Sequence, residues 1–288
     1  MKRQLIPTSV TVPRIAIQGI ESSFHDVAAR KFFGPDVAII PCATFRQSCE
    51  KVLEGSADFC VMAIENSIAG SILTNYNIIH EARLRIVGEV YMQIALHVLA
   101  LPNASWSQIT EIHSHPMALR QCEDYLLSLR GIRIVAQNDT AECARILVNQ
   151  QLNHVAVVAG PQTAQYFGLK ILQHHVETHR RNYTRFLILS HHAHEIADAN
   201  KASISFQLDH SPQSLKRIVD AFSQHEVAIS KIQSVPIIGQ PDQYTFLVDL
   251  EWTDQQAFSQ AMAVAVRQTF SFSLLGTYRK GTLTNALL

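Results

Sequence analysis

Two short segments hold most of the side chains whose types and spacing suit chemistry. The first is Glu65-Asn66-Ser67-Ile68-Ala69-Gly70-Ser71, directly after the apolar run 58–64. Three polar side chains and two small residues at the carboxyl end of a buried strand suit a turn that faces a ligand; a solvated Asx-type turn would use the same residues. The second is Asn182-Tyr183-Thr184-Arg185-Phe186, which sets a guanidinium among apolar strand residues. There it needs a partner, either a ligand carboxylate held bidentately or an internal acid such as Glu65. In His113-Ser114-His115-Pro116-Met117 the proline suits the first turn of a helix. Its histidines either chelate or cap a neighbour, and no third ligand is set by spacing. Gly19 to His25 follows a strand and opens a helix, so backbone N–H groups there would face an anion, or Ser22 or Ser23 simply caps the helix. Asp139-Thr140-Ala141 poses the same choice.

Other chemistries find no support. The sequence has no G-x-G-x-x-G, no G-x-S-x-G, no H-E-x-x-H and no Walker loop. His174, His175, His179, His191, His192 and His194 are numerous but lack a metal-ligand spacing, so no metal is expected. Five scattered cysteines without a C-x-x-C pair argue against a disulfide framework or zinc ribbon and fit a reducing compartment. Lys+Arg and Asp+Glu are both 24, which leaves no basic excess for nucleic acid. No apolar run approaches the ~18 residues of a membrane span, and the proline-interrupted start is unlike a secretion signal. The expectation is a cytoplasmic globular protein of about two domains over 288 residues.

The elements that must position these residues alternate. Strand patterns at 14–18, 37–40, 58–64, 87–101, 109–113, 132–136 and 154–159 are interleaved with helical ones at 22–33, 45–53, 116–129, 140–150 and 161–167. That order predicts α/β layers with a largely parallel sheet, ligands lying at strand carboxyl ends and helix N-termini. A polar stretch at 190–201 reads as a linker. Beyond it, strands at 202–208, 227–236, 243–252 and 270–278 with helices at 212–225 and 254–268 follow the ferredoxin-like order β-α-β-β-α-β. One face of such a sheet stays open for pairing with a second copy.

In this order the segments resemble prephenate dehydratase, from about Arg14 to Thr282. Glu65-Asn66-Ser67 with Gly70 is similar to the family's E-N-S-x-x-G, and Asn182-x-Thr184-Arg185-Phe186 to its N-x-T-R-F. Gly19 with Ser23-Phe24 resembles its G-x-x-G-[ST]-[FY] start, with Ser22 for the second glycine. Ser114-His115-Pro116 with Ala118, Leu119, Gln121 and Cys122 resembles S-H-P-Q-A-L-x-Q-C, and Thr140-Ala141 the S-T-A turn. The resemblance implies a two-lobed catalytic domain at 13–190, like a periplasmic binding protein. Its first lobe would cover 13–99 and 175–190 and its second 100–174. A linker at 191–201 and an ACT regulatory domain at 202–284 would follow.

It further implies a carbon–oxygen lyase of phenylalanine biosynthesis, monofunctional and microbial, turning prephenate into phenylpyruvate, water and carbon dioxide. Aromatisation drives that elimination, so no cofactor is needed. By resemblance Thr184 is the donor to the departing hydroxyl and Arg185 grips a carboxylate. Asn66, Ser67, Ser23, Phe24, Gly70, His115, Thr140, Asn182 and Phe186 surround the substrate, and Glu65 orients Arg185 or Asn182. Met117 replaces the expected glutamine and His25 a small hydroxyl residue. In the tail, Gln213-Ser214-Leu215 stands for the effector loop G-A-L, and Gln233-Ser234-Val235-Pro236 for E-S-R-P. These changes predict a homodimer or homotetramer joined through the tail, with phenylalanine bound more weakly or differently as effector. Two other readings are arogenate dehydratase, the same elimination on the amino-acid analogue, and a non-catalytic small-anion sensor.

Overall fold

The computed structural model describes residues 12–194, 196–209, 211, 213–237 and 239–283. Residues 1–11, and Pro212, where the sequence pattern starts a helix, lie outside the described residues.

Among the described residues the chain divides into two compact units: residues 12–78 with 90–186, and residues 79–89 with 187–282. The first lobe begins β1 (Arg14–Gln18), α1 (Phe24–Phe33), β2 (Ala38–Cys42), α2 (Phe45–Leu53), β3 (Phe59–Asn66), β4 (Gly70–Ser71), α3 (Leu73–Ala82) and β5 (Arg85–Gln93), the end of α3 and the start of β5 belonging to the smaller unit. The second lobe holds β6 (His97–Ala100), β7 (Glu111–Ser114), α4 (Pro116–Gln121), α5 (Glu123–Ser128), β8 (Arg133–Ala136), α6 (Thr140–Gln150), β9 (Val155–Ala159), α7 (Pro161–Phe167) and β10 (Lys170–Gln173). The chain then returns to the first sheet through β11 (Tyr183–Ser190). The sheet orders are β2-β1-β3-β11-β5, with β4 beside β3, and β10-β6-β9-β7-β8. This is the expected two-lobed α/β arrangement.

Three expectations need correction. The strand expected over 87–101 is broken at 94–96, between β5 in one sheet and β6 in the other. Its backbone is satisfied by the returning chain: Ile94 N–H donates to Asn182 O (2.7 Å), Leu96 N–H to Glu177 Oε2 (2.9 Å), and Val176 N–H to Leu96 O (2.9 Å). The alternation of side chains continues through the break, so periodicity alone reads one strand. The helix expected over 116–129 is two, divided at Cys122. The second sheet is mixed rather than largely parallel. β7 pairs parallel with β8 and β9, whereas β6 and β10, by which the chain enters and leaves the lobe, pair antiparallel. Helix α3 and the short strands β4 and β10 carry too weak a pattern to be read from sequence.

The smaller unit contains β12 (Lys201–Gln207), α8 (Ser214–Gln224), β13 (Ala228–Pro236), β14 (Tyr244–Glu251), α9 (Gln255–Gln268) and β15 (Phe270–Tyr278). Its antiparallel order, β13-β14-β12-β15, is that of a ferredoxin-like fold. Ile204, Phe206, Ile218, Phe222, Leu250 and Phe258 are among its core residues, and the Trp252 and Phe258 rings stack at 3.7 Å. Charge is buried in this unit as well. Lys201 Nζ lies 3.1 Å from Glu89 Oε1 and 3.5 Å from Glu251 Oε1, and Gly281 N–H donates to Glu89 Oε1 (2.9 Å). Ser203 Oγ donates to Asp249 Oδ1 (2.5 Å) and is 2.7 Å from the Tyr278 hydroxyl.

Candidate active site

The carboxyl end of β3 is stitched to the start of β11. Ser67 N–H donates to Tyr183 O (2.8 Å), Tyr183 N–H to Ser67 Oγ (2.9 Å), and Ser67 Oγ to Arg181 O (3.2 Å). Asn66, one residue earlier, is buried and has every polar side-chain atom engaged. Its Oδ1 accepts from Ile68 and Ala69 N–H (both 2.9 Å), which closes the turn and fixes which end of the amide is oxygen. Its Nδ2 must then donate, to Asn182 Oδ1 (2.6 Å) and Thr184 Oγ1 (3.0 Å). Asn182 Nδ2 passes the chain on to Gln121 Oε1 (2.9 Å). Because Thr184 Oγ1 accepts from Asn66, its own hydrogen is available to donate elsewhere.

Thr184 and Phe186 both line a cavity of about 420 Å³. Successive strand residues alternate faces, so Arg185 between them belongs to the opposite face. It is buried there, with Nη1 4.0 Å from Glu65 Oε2 and its guanidinium carbon 5.9 Å from the Tyr91 ring centroid. The internal acid, one of the two partners open to Arg185 in the sequence, is thus the one beside it.

Of the residues expected around a substrate, Ser23, Phe24, Asn66, His115, Thr140, Thr184 and Phe186 line the cavity. Glu65, Ser67, Gly70, Asn182 and Arg185 are outside its lining. Ser67 and Asn182 instead hold the turn and the amide chain, and Gly70, at φ +82°, pairs with Asn66 in the β3–β4 hairpin.

Among the helices that begin at the cavity are α1 and α6. Ser23 caps α1, its Oγ accepting from Asp26 N–H (3.4 Å), and Asp139 caps α6, its Oδ1 accepting from Glu142 N–H (2.8 Å). The N-terminal dipole of each favours an anion nearby. Gly19 makes room for the Asp139 carboxylate: a Cβ at position 19 would lie 2.9 Å from Asp139 Oδ2. Burial raises the Asp139 pKa, opposed by the N–H groups of Glu142 and Ala141. His115 Nδ1 accepts from Met117 N–H (3.2 Å), which leaves the proton of the neutral ring on Nε2. Burial lowers the His115 pKa against the pull of Asp139. His25 Nε2 accepts from Ala63 N–H (3.3 Å), and burial, with His115 nearby, lowers its pKa to about 4. Phe45, Ile72, Ile94, Leu96 and Met117 complete an apolar wall. The arrangement can hold a small anion with an apolar body, near helix ends and a set of hydroxyl groups of which Thr184 is the one oriented by Asn66.

The family model for prephenate dehydratase matches residues 15–194. The chain belongs to the prephenate dehydratase family. It is 31% identical to Arabidopsis thaliana arogenate dehydratase/prephenate dehydratase 6, chloroplastic, over 92% of this chain and 68% of that protein. A solved prephenate dehydratase from Arthrobacter aurescens, in complex with L-Phe, superposes with a TM-score of 0.81 at 26% identity, covering 93% of this chain and 90% of the other. A structure described as GqqA, a novel type of quorum quenching acylase, superposes at 0.82 with 27% identity, over 92% and 97%. Prephenate dehydratases are lyases, and the polar centre at Asn66, Asn182 and Thr184 lies in the two motifs by which the sequence resembles them.

Sequence reasoning left Asp139 and Gln121 out of the site proper. Gln121 was visible only as a letter of the S-H-P-Q-A-L-x-Q-C resemblance, and Asp139 only as a helix cap. The apolar wall carried no signal, because its members look like ordinary core. Among the described residues no group of three or more His, Cys, Asp or Glu is placed to hold a metal ion, and no helix is long and apolar enough to cross a membrane.

In the ferredoxin-like unit, Leu215 and Ser214 line a separate cavity of about 470 Å³ with Asp209, Tyr244 and Phe270. Ser214 Oγ donates to Asp209 and accepts from Arg217 Nη2 (2.8 Å). Gln213 precedes α8 without a side-chain capping bond, while Gln233 Nε2 donates to Ser234 O (2.9 Å). Gln213, Gln233 and Ser234 are outside that cavity's lining.

Proposed function

We propose that the protein catalyses the decarboxylative dehydration of prephenate to phenylpyruvate in phenylalanine biosynthesis, in the cytoplasm. The observation that carries this is the Asn66 Nδ2 to Thr184 Oγ1 bond of 3.0 Å. It turns Thr184 into an oriented donor within a cavity whose wall suits a cyclohexadiene ring. As the ring carboxylate leaves as carbon dioxide, its electron pair aromatises the ring and expels the hydroxyl. Thr184 stabilises the charge developing on that oxygen, which takes up one proton relayed from solvent through the Thr184 hydroxyl and leaves as water. The first turns of α1 and α6 receive the side-chain carboxylate, and Asn182 and Gln121 hold the amide chain in register. Arg185 and Glu65 act as positioning residues for β11 and β3 rather than touching substrate.

Amide hydrolysis, the class named for GqqA, needs an attacking nucleophile. An oxygen that already accepts a bond from Asn66 is better suited to donating, which favours elimination. A second reading, the same elimination on arogenate, is supported by the carboxylate of Asp139 in the cavity lining. We assign residues 13–190 to catalysis, 191–201 to a linker and 202–284 to an ACT domain that binds L-phenylalanine weakly and joins subunits into a homodimer or homotetramer.

The test is turnover of prephenate by the purified protein and by Thr184→Ala. The parent forms phenylpyruvate, and the variant loses about two or more powers of ten in kcat. A folded parent that yields no product overturns the assignment.

A further inference from the structure

A negative charge is an odd lining for a site that must accept a substrate with two carboxylates. Asp139 is nevertheless set into the cavity with some care. Its Oδ1 is occupied by the Glu142 N–H, and its Oδ2 faces Gly19, where any larger residue would collide with it. The same residue begins α6, whose first-turn N–H groups are among the anion-attracting groups at the cavity. A side-chain carboxylate received there has, on the adjoining carbon, either a keto oxygen or an ammonium group. Among the described residues that line the cavity, Asp139 is the one acid, and neither lysine nor arginine is present.

We propose that Asp139 is a specificity-determining residue that raises activity on the ammonium-bearing amino-acid substrate arogenate relative to prephenate, so that the protein acts on both. The inference rests on the elimination assigned above and deepens it. Arogenate carries two negative charges and one positive, prephenate two negative charges only. A carboxylate beside the substituent attracts the first and repels the second. It adds nothing to the departure of the hydroxyl, so its effect belongs to the ratio between substrates, not to the chemical step they share. The apolar wall and the Asn66–Thr184 donor serve both substrates alike.

The experiment measures kcat/KM for both substrates with the parent, Asp139→Asn and Asp139→Ser. Asparagine and serine cap helices about as well as aspartate, so both variants are expected to keep α6, which thermal unfolding of each verifies. The expected result is a fall of tenfold or more in the arogenate-to-prephenate ratio in both variants, with the prephenate value rising. An equal loss on both substrates, or an unchanged ratio, shows Asp139 to be a structural cap and overturns the inference while leaving the elimination intact. Turnover of neither substrate by a folded parent overturns the elimination itself and this inference with it.

Discussion

The protein buries polar side chains in two contrasting ways. On the cavity side of the junction of β3 and β11, opposite the face that holds Arg185 and Glu65, they are neutral: Asn66, Asn182, Gln121 and Thr184 form a chain of amides and a hydroxyl that ends at a cavity. In the ferredoxin-like unit they include full charges closed on one another, Lys201 between Glu89 and Glu251, with the Gly281 N–H on Glu89. The difference follows from what each must do. A neutral chain can aim one hydrogen outward without an unbalanced charge attracting water or counterions into the site. A buried ion cluster has nothing to aim, but it is intolerant of losing a member, which makes it a device for fixing one arrangement of the chain.

The largest expected effect tests that intolerance. Lys201→Met strands Glu89 and should cost about 3–5 kcal/mol of stability in denaturant unfolding, while the double variant Lys201→Met/Glu89→Leu recovers a good part of it. If the single variant is as stable as the parent, the two regions are equivalent after all.

Next is acid. His25 in the cavity wall takes up a proton near pH 4 in the folded protein, against an ordinary 6.5. Its folded pKa is depressed, so its contribution to stability is complete above about pH 6.5 and is lost as pH falls through about 4. Between pH 7 and pH 4.5 the protein should lose roughly 2–3 kcal/mol on this account, and His25→Leu should show a flatter profile in the same unfolding titration.

The smallest effect sharpens the neutral side of the comparison. Asn66→Ala should lower kcat about ten- to a hundredfold by freeing the Thr184 hydroxyl to rotate. Combined with Thr184→Ala it should do little further harm, because the two act through one bond. Additive losses in that double-variant cycle would mean that Asn66 acts independently of Thr184.

Much of this was legible in the sequence because local signals agreed with the final structure. α6 and α7 fall on 140–150 and 161–167 as read, and the β-α-β-β-α-β order of the second unit emerged from turn residues and periodicity alone. The polar turn after β3 and the Thr184 segment were also readable as a site. The crossing between lobes was not. The break at 94–96 is made by bonds from Asn182 and Glu177, more than eighty residues away, with no change of pattern to betray it. Arg185 illustrates a second limit. Its sequence context demanded a partner, but only the strand's alternation, once Thr184 and Phe186 were seen to face the cavity, put it beside Glu65. Asp139 illustrates a third, since capping a helix and lining a cavity leave the same letter in the chain.

The two helix starts have an evolutionary consequence. Main-chain N–H groups are present whatever residues other than proline occupy the first turns of α1 and α6, so the pull of those turns on an anion is insulated from most side-chain drift. The cap positions, Ser23 and Asp139, have no such insulation, and aspartate becomes asparagine by a single base change. On the role proposed for Asp139, a lineage carrying this fold would hold on to its class of substrate over long divergence while preference within that class shifted in one mutational step.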